Sequence, residues 1–109
     1  MQNVYDAAHS LAHAITDSYE FKQFREAEAK IMESEHLKTM IADIQKRRME
    51  IQAAQFQGQQ PDEAATAKFQ ELVNVAAKDP VAAAYLQAEM RFNLMMTDVS
   101  KILGDVMGL

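Results

Sequence analysis

His9 and His13 stand four residues apart, the spacing that lets one face of a helix grip a metal ion. A zinc-hydrolase helix would need glutamate directly after the first histidine, and Ser10 is there instead. No third ligand is brought near by spacing, so the pair reads as solvated or interfacial histidine. His36 stands beside Glu33 and Glu35 near a helix start, where carboxylates suit the positive end of a helix dipole better than catalysis. Lys46-Arg47-Arg48 is the one basic run, a candidate nucleic-acid contact. Asp43 and Glu50 lie at i, i+4 spacing from Arg47 and Lys46, so local pairing should neutralise much of its charge. No aromatic residues interleave with it to stack on bases. A phosphate-binding glycine loop, a nucleophile elbow and a spaced acid–base pair are all missing. The residues call for no enzyme, no metal and no cofactor.

Composition narrows the classes further. The chain has 109 residues, 49% hydrophobic and 25% charged, with a net charge of -5, the size of one domain (1–109). It has no cysteine, which excludes disulfides, thiolate metal sites and a self-contained iron–sulfur centre. Three glycines and two prolines are too few for a turn-dense β fold. Abundant Ala, Gln, Glu, Lys and Met favour helix. The acidic balance disfavours nucleic acid as a partner. No stretch approaches the roughly 20 apolar residues of a membrane span, and the start lacks the basic and apolar regions of a signal peptide, so a cytoplasmic location is expected.

Five helices would position these residues. Val4, Ala8, Leu11 and Ile15 form one stripe and predict a first helix over about 3–16. Asp17 followed by Glu20 resembles a capping box, opening a second helix near 18 with Phe21, Phe24, Ile31 and Met32 turned inward. Ser34 should break the pattern and cap a third helix to about 57, burying Leu37, Met40, Ile41, Ile44 and Ile51. Gly58 can close that helix with positive φ, while Pro61 pushes Gln60 out of helix and Asp62 caps the next. The fourth helix, about 63–78, buries Ala65, Phe69, Leu72, Val73 and Ala76. Asp79-Pro80 then supplies a cap and a proline at the first helical position.

The fifth helix carries the most information. Val81, Tyr85, Ala88, Phe92, Met95, Val99, Ile102 and Val106 repeat at alternating spacings of four and three. A second stripe, Leu86, Met90 and Leu94, lies on the opposite side. A helix apolar on two sides must be covered on two sides. Its own chain supplies one cover, and a second copy is the simplest supplier of the other, which marks Leu86, Met90 and Leu94 as interface residues. The eight methionines read mainly as core filling, Met90 excepted. The expected fold is all-α: about five helices in an elongated antiparallel bundle with a long C-terminal helix, dimeric.

The segment Ala84-Tyr85-Leu86-Gln87-Ala88-Glu89-Met90-Arg91-Phe92-Asn93, continuing through Leu94 and Val99 to Ile102, resembles the C-terminal signature of the bacterial YlbF/YmcA family, especially its YheA-like branch. Tyr5-Asp6 with Ala8 and Leu11, then Ser18, Phe24, Gln57-Gly58 and Pro61-Asp62-Glu63, match in order and spacing. The resemblance covers nearly the whole chain. It implies a cytoplasmic, helical, homo- or heterodimerising bacterial protein without catalytic residues. It further implies a regulator of RNA processing or of development (competence, sporulation, biofilm), with a paralogue or an RNA-processing enzyme as partner. The iron–sulfur association of the family's namesakes does not carry over, because this chain has no thiolate to offer. The competing expectation is a nucleic-acid-binding protein that uses Lys46, Arg47 and Arg48.

Overall fold

A computed structural model describes residues 3–60 and 62–108. Among them the chain is all-α, with helices α1 (Val4–Asp17), α2 (Tyr19–Met32), α3 (Glu35–Phe56), α4 (Glu63–Ala76) and α5 (Pro80–Met107). The reading of Pro61 lies outside the described residues.

Local capping chemistry sets most of the boundaries. Asn3 caps α1, its side chain accepting the Asp6 N–H at 2.8 Å. The Ser34 hydroxyl caps α3, accepting the Leu37 N–H at 3.2 Å. Asp62 caps α4 by accepting from Ala64, also at 3.2 Å. One carboxylate oxygen of Asp79 accepts from Val81 at 2.9 Å and Ala82 at 3.0 Å, with Pro80 opening α5 as expected. At the far end of α3, Gly58 takes φ 77°. Its N–H donates to the Gln55 carbonyl at 3.0 Å, while the Gln59 N–H donates to Ala54 at 2.9 Å. That paired closure is the Schellman arrangement, and it satisfies carbonyls the helix end would otherwise orphan.

Two expectations are corrected here. α2 is capped by Ser18, whose hydroxyl accepts the Phe21 N–H at 3.1 Å, while Asp17 remains the last residue of α1. The capping oxygen belongs to whichever residue leaves helical φ/ψ, and Ser18 is the extended one. Met32 is exposed, because its neighbour Ile31 takes the inward position and adjacent helical residues point about 100° apart.

The chain divides into two compact units. The first joins the chain up to Glu28 with the chain from Tyr85 onward. In it α2 packs on α5 through rings: Phe21–Phe92 at 5.8 Å between centroids, Phe24–Phe92 at 5.3 Å and Phe24–Tyr85 at 5.6 Å. All three pairs are tilted, the geometry that sets a ring's positive edge against its neighbour's negative face. The order of the contacts makes α2 and α5 antiparallel. Ala27, Tyr85 and Ala88 are buried here, and the Tyr85 hydroxyl donates to Glu89 at 3.2 Å.

The second unit is Ala29–Ala84, in which α3 and α4 pack together as a helical hairpin. Its buried side chains include Ile31, Leu37, Ile41 and Ala76, with Ile44 at 1% exposure the most enclosed large residue. Burying such an isoleucine contributes about 1.5–3 kcal/mol.

Candidate functional site

The surface that stands out is on α5. At about 100° per residue, Tyr85, Ala88, Phe92 and Val99 lie on one line along the helix, and Met90 and Leu94 fall about 160° away from it. The rings of α2 hold the first line, so Met90 and Leu94 face away from that packing. They are 57% and 59% exposed, while Leu86, one turn earlier, is half-buried. Leu94 and Met95 form the apolar part of an open cleft whose other walls are Tyr19, Glu20, Arg91 and Asp98. Its apolar centre carries charged residues at its margin.

The same helix departs from expectation toward its end. Ile102 and Val106 belong by spacing to the inner line, yet they are 64% and 86% exposed, and Leu103 and Met107 are open beside them. Periodicity identifies the face of a helix and not what covers it. These four residues were therefore missed as surface; the signal was an apolar line that ran on to the last turns of the chain. α1 shows the same shortage of cover. Val4 and Tyr5 are open, Leu11 and Ile15 are half-buried, and no residue of α1 is fully buried.

His9, His13 and His36 are exposed. Among the described residues no group of three or more His, Asp or Glu side chains is placed to hold a metal ion. In the basic run Lys46 is exposed, and Arg47 pairs with Glu50 at 3.7 Å, three residues on, rather than with Asp43. Lys46 also borders a shallow groove on α3 with Ala42, Met49, Glu50 and Ala53, so it alternates with apolar and acidic residues instead of joining a basic stripe. Among the described residues no helix is long and apolar enough to cross a membrane.

Comparison with known proteins places the chain. A family model described as "Control of competence regulator ComK, YlbF/YmcA" matches residues 4–107. A UPF0342 protein of Caldicellulosiruptor saccharolyticus is 36% identical over 109 residues, covering 100% of this chain and 91% of the relative. A UPF0342 protein of Symbiobacterium thermophilum is 40% identical over 102 residues, covering 94% and 91%. Neither name carries an activity. Among solved structures, a protein of unknown function (DUF964) from Bacillus stearothermophilus superposes with a TM-score of 0.78 at 18% identity, over 98% of this chain and 94% of that one, which establishes the shared fold. With the family model spanning nearly its entire length and relatives aligned almost end to end, the chain belongs to the YlbF/YmcA family, whose description is a regulatory one.

Proposed function

We propose that this chain is a non-enzymatic regulatory protein that acts by binding other proteins, as a homodimer, in the cytoplasm. One observation carries it: Met90 and Leu94 stand more than half exposed on the side of α5 that faces away from its own aromatic packing, with Glu20, Arg91 and Asp98 lining a cleft beside Leu94. An exposed apolar patch rimmed by polar residues is the usual mark of a protein-interaction site. Leu86, Met90 and Leu94 form that contact surface. The regulated process is RNA processing or development, in keeping with a family described by control of ComK, and the partner is a paralogue or an RNA-processing enzyme. The YheA-like branch and a single folding unit over residues 1–109 belong to the same proposal.

The test is affinity capture from the native organism with two baits, the wild-type chain and Met90→Glu/Leu94→Glu. Partners recovered by the first and lost by the second support the proposal. Identical recoveries from two equally helical baits would remove the stripe from it.

A further inference from the structure

We infer that α3 carries a docking groove for an amphipathic helix of another protein, one whose apolar seam brings a carboxylate to Lys46. The groove lies in the second unit, on a different helix from the Met90–Leu94 stripe, and does not depend on the dimeric reading.

α3 has two lines at the alternating spacings of four and three with which one helix seats another. The inner line is Leu37, Ile41, Ile44, Arg48 and Ile51. Its first three residues are buried and its last two half-buried, taken up by the unit's own packing. The outer line is Ala42, Lys46, Met49, Ala53 and Phe56, and all five are exposed. Each outer residue follows an inner one by five positions, which turns it about 140° around the helix. The outer line therefore faces away from that packing, with Met49 at 68% and Phe56 at 94% exposure against 1% for Ile44. Ala42, Gln45, Lys46, Met49, Glu50 and Ala53 together line a groove along it.

Shape and charge name the occupant. Ala42 and Ala53 leave hollows on either side of Met49, and such alternation of small and large side chains takes the knobs of a second helix. Lys46 sits within the line. Glu50, the carboxylate one turn on, is held by Arg47 at 3.7 Å, and among the described residues Lys46 has no ion pair. A lone lysine in an apolar seam weakens pairing with most helices and selects the one that answers its charge. The answering group is a carboxylate, which loses water together with Lys46 as the two helices close. A second copy has none to give, because its own outer line holds only alanine, lysine, methionine and phenylalanine. Self-pairing along this line would leave both lysines without a partner.

The test is fluorescence anisotropy with labelled synthetic helical peptides held at nanomolar concentration, too dilute to pair with themselves. Two of them carry leucine at alternating spacings of four and three and differ at one central seam position, glutamate in one and lysine in the other. The glutamate peptide binds the wild-type chain about tenfold tighter than the lysine peptide. Lys46→Glu reverses that preference, and Met49→Glu weakens the glutamate peptide about a hundredfold. Met32→Glu, an exposed change on α2, leaves both constants as they are. A third peptide with the sequence of Glu35–Phe56 stands for a second copy and does not bind. Should Met49→Glu lose helix by circular dichroism, the Lys46→Glu reversal decides alone. Absence of binding, equal affinity for the two charged peptides, or a preference that survives Lys46→Glu overturns the inference. So does a Glu35–Phe56 peptide that binds as tightly as the glutamate peptide, because the occupant is then a second copy.

Discussion

Replacing Phe24 with alanine should cost the chain about 2–4 kcal/mol. Phe24 is the α2 ring that touches two rings of α5, Phe92 at 5.3 Å and Tyr85 at 5.6 Å, so it ties α2 to α5 in the first unit. A fully buried phenylalanine truncated to alanine costs about 3–5 kcal/mol, and Phe24 is only half-buried, which lowers the figure. Each tilted ring pair adds about 0.5–1.5 kcal/mol beyond area burial, which restores part of it. Phe24→Leu separates the two terms: it keeps aliphatic packing, loses both ring pairs, and should cost about 1–2 kcal/mol. Met32→Ala on the same helix is the control, because its side chain is exposed and the change should stay within about 0.5 kcal/mol. The assay is urea unfolding by far-ultraviolet circular dichroism at one fixed protein concentration, since a dimer's stability depends on concentration. A Phe24→Ala midpoint no lower than that of Met32→Ala would refute the aromatic cluster as the element holding α2 to α5.

Three further outcomes are expected. Asp79→Ala removes an acceptor shared by the Val81 and Ala82 N–H groups and should cost about 1–2 kcal/mol, whereas Asp79→Asn restores most of it; both are read by urea unfolding. Gly58→Ala meets no atom within 4 Å but must hold φ 77°, so it should cost about 1 kcal/mol by backbone strain alone, and a neutral result would show that the α3–α4 turn adopts another conformation. Lys46→Gln/Arg47→Gln/Arg48→Gln should leave single-stranded RNA binding as it is in the wild type, undetectable at moderate salt; a salt-dependent shift present in the wild type and lost in the triple variant would revive the nucleic-acid reading.

What the sequence made legible was mostly local. Ser34, Asp62 and Asp79-Pro80 mark helix starts because a short acceptor satisfies nearby N–H groups whatever the tertiary fold. Gly58 marks a helix end for an equally local reason, its freedom at positive φ. Where two cap-competent residues adjoin, as at Asp17 and Ser18, the choice depends on how α1 leaves its last turn, and composition does not specify that. Arg47 was expected to reach Asp43 and reaches Glu50, since both lie within one helical turn and the rotamer decides. Of the stripe expected on the second side of α5, Met90 and Leu94 are more than half exposed and Leu86 is half-buried. Ile102 and Val106, expected on the inner line, are exposed, because a continuous seam looks like core until the length of the covering helix is known.

The central claim is that α5 carries more apolar surface than the chain itself covers, so that the working species contains more than one chain. Sedimentation equilibrium of the untagged wild-type protein at micromolar concentration tests it most directly. A mass of twice the 12.3 kDa of one chain is the result expected. A stable species of 12.3 kDa over the whole concentration range would contradict it.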